Sequence, residues 1–425
     1  MLMRALYTGL WWLAIPFLPL RLWWRGRREP GYRAHIGERF GFYSQTALAP
    51  GGDVLWVHAV SLGETRAATP LIERLRRDHP AAKILLTHMT ATGREAGHTL
   101  HGVEIEQVWL PYDVPFAVNA FLDRFKPRVG MLMETEVWPN LVAACAARQL
   151  PLLLVNARLS ERSLRGYRRL SALTRPMFAA LGGVAAQTAA DAARLTVAGA
   201  RDVAVTGNLK FDVVVPDHAM TLGHELRMRF GADRPVWLAA STREGEEVQI
   251  LDAIKRNSLP ARALTVILPR HPQRFAAVAD LLTARGVPFV RRSDNRDVPD
   301  DVDVVLGDSL GELLAYCVAT DVAFVGGSLE PLGGHNLIEP IALGTPTLVG
   351  PHTFNFAEAT NRAIEAGAAL RVTNADALIT QVATLLREPE RRAALRTAAL
   401  AFLEAHRGAV DRLAVWLAPR LPPPA

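Results

Sequence analysis

A glutamate that could remove a proton follows an apolar run near the start of the chain. Residues 54–60 are apolar enough for a buried strand, and Glu64 comes after them, where a helix is predicted to begin near Thr65. The dipole at the amino terminus of a helix favours an ionised carboxylate, which suits a general base. The alternative is an ordinary glutamate of a first helical turn, which needs no function.

Two more carboxylates, Glu134 and Glu136, follow the apolar residues 128–133. Alternation along an extended chain predicts that both side chains point to one side and Thr135 to the other. Like charges this close are costly unless they face water, a cation or a substrate hydroxyl. A solvated loop before a helix capped by Asn140 is the alternative, but the position after a strand favours a site.

Basic residues end two further apolar runs. Lys210 follows residues 203–207, and Arg270 follows Pro269 at the end of residues 264–269. Either side chain could meet a phosphate, and a guanidinium can bind two phosphate oxygens at once. A lone lysine is a weak signal, so its place after a predicted strand is what favours a site.

The most specific motif is the glycine-rich loop at residues 326–335, which joins an apolar run to a helix predicted to begin at Asn336. Glycines allow a backbone to approach a ligand closely, and Glu339 in the first helical turn could accept both hydroxyls of a ribose. Asn336 and Glu339 also have the spacing of a capping box, with Asn336 at the N-cap. The two roles compete for one carboxylate.

Two other charge patterns are also typical of ordinary solvated surface. Asp301 and Asp303 match a metal-binding Asp-x-Asp pattern, but they begin a predicted strand instead of ending one, so no metal site is predicted. Four arginines recur at helical spacing and predict one basic stripe: Arg158, Arg162, Arg165 and Arg169. Beside a membrane, such a stripe could receive the phosphates of an acceptor.

Apolar runs alternate with amphipathic stretches throughout the chain, as in α/β proteins whose parallel strands are buried on both faces. The strands are predicted at residues 54–60, 83–88, 128–133, 152–156, 183–187 and 203–207, and then at 236–240, 264–269, 287–291, 302–306, 322–326 and 347–350. Each half therefore holds the strands of one doubly wound sheet. Two Rossmann-like domains are predicted to face each other across a cleft that holds the active site.

The amino terminus has the composition of a membrane interface. Residues 5–20 carry no charge, tryptophans flank this run, and four arginines follow it: Arg21, Arg25, Arg27 and Arg28. At about 1.5 Å per residue the run is shorter than the roughly 30 Å hydrocarbon core, and Pro16 and Pro19 interrupt it. A monotopic or re-entrant anchor with a cytoplasmic body is predicted. A cleaved signal peptide is the alternative, but no small-x-small cleavage site follows.

The composition of the chain limits the number of domains and the classes of partner that it can have. A chain of 425 residues with 50% hydrophobic content can form two cores, and Cys145 and Cys317 lie too far apart in sequence for a metal or redox motif. The net charge of +6 favours anionic partners, which include nucleic acid, anionic lipid and phosphorylated small molecules. The predicted division is an anchor at 1–35, a first domain at 36–215 and a second at 216–425.

These motifs resemble those of the 3-deoxy-D-manno-octulosonic acid (Kdo) transferases, a glycosyltransferase family with the GT-B architecture of two Rossmann-like domains. The resemblance runs through nearly the whole chain. After the tryptophan-rich anchor, it includes residues 39–41, 60–64, 133–136, 156–160, 207–212, 241–247, 269–272, 326–328 and 351–356. The chain departs from the family pattern before its second pair of glycines, where it reads Glu330-Pro331-Leu332.

The resemblance implies an inverting transfer of Kdo from CMP-Kdo to lipid IVA, the lipid A precursor, in lipopolysaccharide synthesis. It places the enzyme on the cytoplasmic side of the inner membrane, without a cofactor, a metal or a nucleic-acid partner. Glu64 would be the general base, and Glu134 and Lys210 would assist the transition state. CMP would be held by Pro269, Arg270, Leu310, Gly311, Glu312, Asn336, Leu337, Ile338 and Glu339.

Two other functions fit parts of the chain. A nucleotide-sugar epimerase can share the two-domain architecture and the ribose-binding glutamate, but it has no use for a membrane anchor. A non-enzymatic lipid-binding scaffold would use the anchor and the arginine stripe, but it would leave Glu64 and Lys210 without a role.

Overall fold

The computed structural model describes residues 2–27, 29–43 and 53–421. The chain divides into two compact units. The first comprises the residues up to Asp212 together with those from Gly408 onward, and the second is Val213–Arg407.

The first unit is built on a seven-stranded parallel sheet in the order β3-β2-β1-β4-β5-β6-β7. Its strands are β1 Val54–His58, β2 Lys83–His88, β3 Glu106–Trp109, β4 Val129–Met133, β5 Leu152–Ala157, β6 Gly183–Ala186 and β7 Val203–Val205. All six strands predicted here are present. The edge strand β3 was missed because it is short and begins with two polar residues.

Helices cover both faces of this sheet. They are α1 Leu2–Ala14, α2 Leu18–Arg25, α3 Leu62–Asp78, α4 Ala91–His101, α5 Pro115–Phe125, α6 Pro139–Ala147, α7 Glu161–Arg169, α8 Ser171–Ala179 and α9 Ala189–Ala198. One apolar core gathers around Trp56 and Phe121, and a second lies around Leu71 and Met131 on the other face. Burial of both faces explains why the central strands read as continuous apolar runs.

The second unit has its own seven-stranded parallel sheet in the order β10-β11-β9-β8-β12-β13-β14. The strands are β8 Val236–Thr242, β9 Leu264–Pro269, β10 Phe289–Arg291, β11 Val304–Leu306, β12 Val322–Val325, β13 Thr347–Val349 and β14 Ala369–Arg371. The helices are α10 Asp217–Phe230, α11 Glu246–Arg256, α12 Phe275–Ala284, α13 Leu313–Ala319, α14 Ile338–Ala342, α15 Ala357–Glu365, α16 Ala375–Arg387 and α17 Pro389–His406. The three-residue edge strand β14 was not predicted.

The last helix, α18 Ala409–Leu417, belongs to the first unit, although the sequence assigned residues up to 425 to the second domain. Leu413 and Leu417 are buried in the core beside α3. The Asp212 carboxylate accepts hydrogen bonds from the N–H groups of Gly408 (2.7 Å) and Val410 (2.5 Å). Apolar burial and this carboxylate therefore hold α18 on the first unit.

The amino-terminal helices α1 and α2 are joined by one 3₁₀ turn at Ile15–Phe17, so Pro16 and Pro19 do not end the helical path. Each proline stands in the first turn of its element, where a missing N–H costs little. The whole segment, Leu2–Arg25, is long and apolar enough to cross a membrane by length and composition. The expectation that it was too short is therefore wrong. Arg28 of the predicted basic flank lies outside the described residues.

Opposite sides of this segment have different surroundings. One side packs on the first unit: Trp11 contacts Tyr112 with 5.7 Å between the centroids of the tilted rings, and Leu18 and Leu22 are buried. The other side is an exposed apolar row that we name the outer stripe: Leu2, Leu6, Leu10, Leu13, Phe17, Leu20 and Trp24. The spacing of three and four residues keeps this row on one helical face.

Candidate active site

Glu64 stands in the first turn of α3, directly after β1. Its carboxylate accepts hydrogen bonds from the Val60 N–H (2.8 Å) and from the Ser61 hydroxyl (3.2 Å), and the side chain is half-buried. The strand order of the first sheet reverses between β1 and β4, and ligands of doubly wound sheets bind where this happens. The predicted position of Glu64 at a strand end is confirmed.

The pKa of the Glu64 carboxyl group is higher than the sequence predicted. The helix dipole was expected to keep this carboxylate ionised, but burial and then the negative charge of Glu134 raise its pKa from 4.5 to about 7. Loss of hydration outweighs the dipole and the two hydrogen bonds. A carboxylate with this pKa can take up a proton near neutral pH, which a carboxylate with an ordinary pKa does poorly.

Glu134 follows β4 and has a left-handed backbone with φ of 57°. The predicted alternation with Glu136 is therefore wrong, because it assumed an extended chain. Glu134 turns inward and is only 2% exposed, whereas Glu136 accepts a hydrogen bond from Trp138 Nε1 at 3.0 Å.

The buried carboxylate of Glu134 bridges two cations. Lys210 Nζ lies 2.8 Å from its Oε1, and Arg158 Nε lies 2.6 Å from its Oε2. Burial by itself would oppose ionisation, but Lys210 and then Arg158 hold the pKa of Glu134 below its ordinary value. The first unit therefore brings together Glu134 and Lys210, the two residues to which the resemblance gave one role. The negative charge of Glu134 also raises the pKa of Glu64.

Lys210 is placed by an asparagine that the sequence analysis did not single out. It lies in a 3₁₀ turn, Leu209–Phe211, after β7. The Leu209 N–H donates to Asn156 Oδ1 at 3.1 Å, and Asn156 is fully buried in a left-handed conformation with φ of 50°. Asparagine tolerates this conformation better than most residues, which is the signal that could have marked it.

The predicted arginine stripe divides in two. Helix α7 begins at Glu161, and its cap is Ser160, whose Oγ accepts from the Ser163 N–H at 3.2 Å. Arg158 therefore lies before the helix and pairs with Glu134. The other three, Arg162, Arg165 and Arg169, are exposed on α7.

The predicted nucleotide-binding residues lie in three segments of the second unit, each after a strand. Pro269 ends β9 and Arg270 follows it. Leu310, Gly311 and Glu312 precede α13, where Glu312 forms a salt bridge with Arg292 (3.2 Å). Asn336, Leu337, Ile338 and Glu339 surround the start of α14. All three segments therefore lie at the carboxyl-end side of one sheet.

The predicted capping box at Asn336 and Glu339 is wrong. Helix α14 begins at Ile338, whose N–H donates to Asn336 Oδ1 at 3.1 Å, so Asn336 closes a turn before the helix. Glu339 Oε1 accepts a hydrogen bond from the Asn336 side-chain amide at 3.2 Å. A capping box would instead need the Glu339 carboxylate to accept from the backbone N–H of the N-cap residue. The Glu339 carboxylate is therefore not needed as a backbone cap.

The glycine-rich loop is also different from its prediction. Its first glycines were expected to approach a ligand, but the N–H groups of Gly327, Ser328 and Leu329 donate to the carboxylate of Glu246. Glu246 is fully buried in the first turn of α11. This contact could not be predicted from a local sequence pattern, because Glu246 and residues 327–329 are 81–83 positions apart.

Asp301 and Asp303 precede β11 and are both exposed. Over the part of the chain that the structure describes, no three His, Cys, Asp or Glu side chains are grouped as metal ligands.

Comparison with known proteins decides the family. Residues 34–213 match the family described as 3-deoxy-D-manno-octulosonic-acid transferase (kdotransferase), and residues 267–401 match glycosyl transferases group 1. A 3-deoxy-D-manno-octulosonic acid transferase from Bordetella pertussis is 47% identical, over 97% of this chain and 99% of its own length. The chain belongs to the Kdo transferase family. It is therefore a glycosyltransferase, and the predicted resemblance is confirmed.

Two solved structures resemble the transferase. The C-terminal CMP-Kdo binding domain of WaaA from Acinetobacter baumannii is 34% identical and covers 44% of this chain and 100% of that domain, with a TM-score of 0.43. UDP-GlcNAc 2-epimerase from Neisseria meningitidis, bound to UDP-GlcNAc, is 17% identical. The match covers 86% of this chain and 100% of the epimerase chain, with a TM-score of 0.53. The epimerase likeness concerns the fold alone. It confirms the predicted fold class and does not favour an epimerase activity.

Proposed function

We propose that the transferase moves Kdo from CMP-Kdo to lipid IVA with inversion at the anomeric carbon. Membership of the Kdo transferase family supports the donor sugar. The observation that supports the reaction is that Glu64 follows β1 of the sheet whose β4 leads to Glu134, the carboxylate that pairs with Lys210 and Arg158. Mass analysis of the lipid after incubation with CMP-Kdo and lipid IVA tests it. A lipid that gains the mass of Kdo supports the proposal, and an unchanged lipid refutes it.

The proposed reaction is a single displacement. Glu64 takes the proton from a sugar hydroxyl of lipid IVA, and the hydroxyl oxygen forms a bond to the anomeric carbon of Kdo. The bond from this carbon to the CMP oxygen breaks, and CMP leaves with the electron pair. One attack from the opposite face inverts the configuration.

Lys210 would stabilise negative charge in this step. Its side chain is 20% exposed, and Glu134 fixes its ammonium from the buried side. A fixed cation stabilises developing charge without having to reorganise during the reaction. We assign Glu134 the role of holding Lys210 and keeping the pKa of Glu64 raised.

CMP would be bound by the second unit through Pro269, Arg270, Leu310, Gly311, Glu312, Asn336, Leu337, Ile338 and Glu339. Arg270 offers charged donors for the phosphate, and Glu339 offers two acceptor oxygens for the ribose hydroxyls.

Replacement of Glu339 by glutamine should weaken CMP binding by roughly 1.5–3 kcal/mol, the range for hydrogen bonds to charged groups. Glutamine has only one acceptor oxygen for two hydroxyls, and the contact with Asn336 does not cap α14. The melting temperature should therefore stay nearly constant. Calorimetric titration with CMP and a thermal melt measure the two quantities, with the exposed Glu365→Gln as the control. Unchanged affinity would remove Glu339 from the site.

The acceptor and the membrane surface would be met by the first unit. Arg162, Arg165 and Arg169 are exposed and can pair with lipid phosphates. The amino-terminal segment packs on the unit from Thr8 to Leu22. The Thr8 hydroxyl donates to Asn140 Oδ1 at 3.0 Å, and Leu22 is buried. We therefore propose that it lies in the membrane interface, with the body on the cytoplasmic side of the inner membrane.

Substitution of Leu10, Leu13 and Phe17 by glutamine should release the protein from membranes without unfolding it, because these outer-stripe residues contact solvent and not the core. Vesicle flotation measures attachment. A triple variant at the exposed residues Val103, Met228 and Val415 is the matched control. Deletion of residues 1–24 is less informative, because it uncovers Tyr112. Quantitative flotation of the outer-stripe variant would place the anchor elsewhere.

A further inference from the structure

The start of the glycine-rich loop already holds an anion. Oε2 of Glu246 accepts from the N–H groups of Gly327 (2.7 Å) and Arg243 (2.8 Å), and Oε1 accepts from those of Ser328 (3.0 Å) and Leu329 (2.9 Å). The carboxylate has no exposure to solvent. Four backbone donors around a buried carboxylate satisfy it without any ligand.

This carboxylate occupies the place where a doubly wound sheet usually receives a ligand. The order of the second sheet reverses between β8 and β12. Glu246 follows β8, and the loop follows β12. Successive N–H groups of a loop in this position commonly cradle a ligand's phosphate.

The first glycine of the loop is required by this contact. A Cβ added to Gly326 would lie 2.9 Å from Glu246 Oε2 and 2.8 Å from the carbonyl oxygen of Ser241. Both distances are too short for carbon and oxygen. A glycine therefore stands here because the chain approaches its own carboxylate and strand β8.

Because the start of the loop is fixed, the position of its end is fixed as well. The Gly334 N–H donates to the Gly327 carbonyl at 2.7 Å, so the two pairs of glycines are tied together. Asn336 comes two residues later. Ser328 adds a second support, since its hydroxyl donates to the Val325 carbonyl (2.6 Å) and accepts from the Gly350 N–H (2.8 Å).

We propose that Glu246 is a positioning residue of the donor site. Its carboxylate fixes the loop and thereby the positions of Asn336 and Glu339, which bind the nucleotide. Because the N–H groups of residues 327–329 are occupied by Glu246, other groups bind the phosphate of the donor. The inference rests on the proposed CMP site in the second unit.

Replacement of Glu246 by glutamine keeps the shape of the side chain but turns one acceptor oxygen into a donor that opposes the loop N–H groups. The Kd for CMP should rise at least about tenfold, the scale of lost hydrogen bonds to a charged group. The KM for lipid IVA should not change, because the acceptor is assigned to the first unit. Glu244→Gln is the matched control, since this neighbour's side chain is 95% exposed.

Calorimetry separates positioning from a general loss of folding. A purely structural role lowers the number of CMP sites per chain and leaves the Kd of the folded fraction unchanged, whereas positioning changes the Kd. An unchanged Kd in the glutamine variant therefore overturns the inference. Absence of CMP binding by the unaltered protein would instead refute the proposed CMP site.

Hydrogen exchange on the unaltered protein gives a test that does not depend on the variant's stability. The amides of Gly327, Ser328 and Leu329 should be protected before CMP is added and should change little after it. Amides that exchange freely without CMP, and become protected with it, would show that the phosphate takes the place of Glu246 and would overturn the inference.

Discussion

Replacement of Glu64 by glutamine should lower kcat at least about 100-fold, the usual scale for loss of a general base. Glutamine can keep the hydrogen bond from the Val60 N–H through its carbonyl oxygen, so the turn before α3 should persist. It cannot accept the proton of the acceptor hydroxyl. The Kd for CMP should not change, because the nucleotide is assigned to the second unit.

The pH profile gives the same prediction a second readout. Glu64 has a pKa of about 7, and only its deprotonated form can act as a base. The kcat/KM of the unaltered enzyme should therefore fall as the pH is lowered through about 7. The residual rate of the glutamine variant should lack this acid limb.

A matched control lies on the same helix. Glu73 is exposed in α3, and its change to glutamine should leave both kcat and the pH profile as they were. Near-normal turnover of the Glu64 variant, or an acid limb that survives in it, would assign the base to another residue.

Replacement of Lys210 by methionine should lower kcat by about 100- to 1000-fold, the range for removal of one electrostatic stabiliser. Two consequences of the substitution both lower kcat. The developing negative charge loses its cation, and the buried Glu134 retains only Arg158 as a close cationic partner among those described. The pKa of Glu134 should rise as a result.

Steady-state kinetics distinguish the role of Lys210 in the transition state from simple binding. A fall in kcat with an unchanged Kd for CMP assigns Lys210 to the chemical step. An unchanged kcat with a raised KM would show that it only binds the ground state. Lys83→Met is the control, because this lysine is exposed at the start of β2.

Hydrophobic runs predicted most of the fold. Central strands such as β1 and β4 are buried on both faces, so each reads as an uninterrupted apolar segment. The edge strand β3 could not be found in this way because it begins with the polar Glu106 and Gln107, and β14 because it has only three residues and ends with the exposed Arg371. The return of α18 to the first unit was missed because an amphipathic pattern does not specify which core it covers.

The positions of the candidate site residues could be predicted where they depend on strand ends, but not where they depend on partners distant in sequence. Glu64, Glu134 and Lys210 each follow a strand of one sheet, and topology alone brings them to one edge. The ion pair between Arg158 and Glu134 required the left-handed turn at Glu134, which the sequence did not indicate. Glu246 was missed for a similar reason, since its backbone donors come from a different strand connection.

Because α18 belongs to the first unit, that unit can be completed only after the second has been synthesised. Leu413 and Leu417 fill part of the core beside α3, yet the ribosome makes all of Val213–Arg407 between Asp212 and this helix. At about 5–20 residues per second, this interval lasts roughly 10–40 s. During it the nascent chain presents an uncovered apolar patch on the unit that bears the amino-terminal helices. Chaperones that bind apolar segments should therefore engage this chain until helix α18 leaves the ribosome.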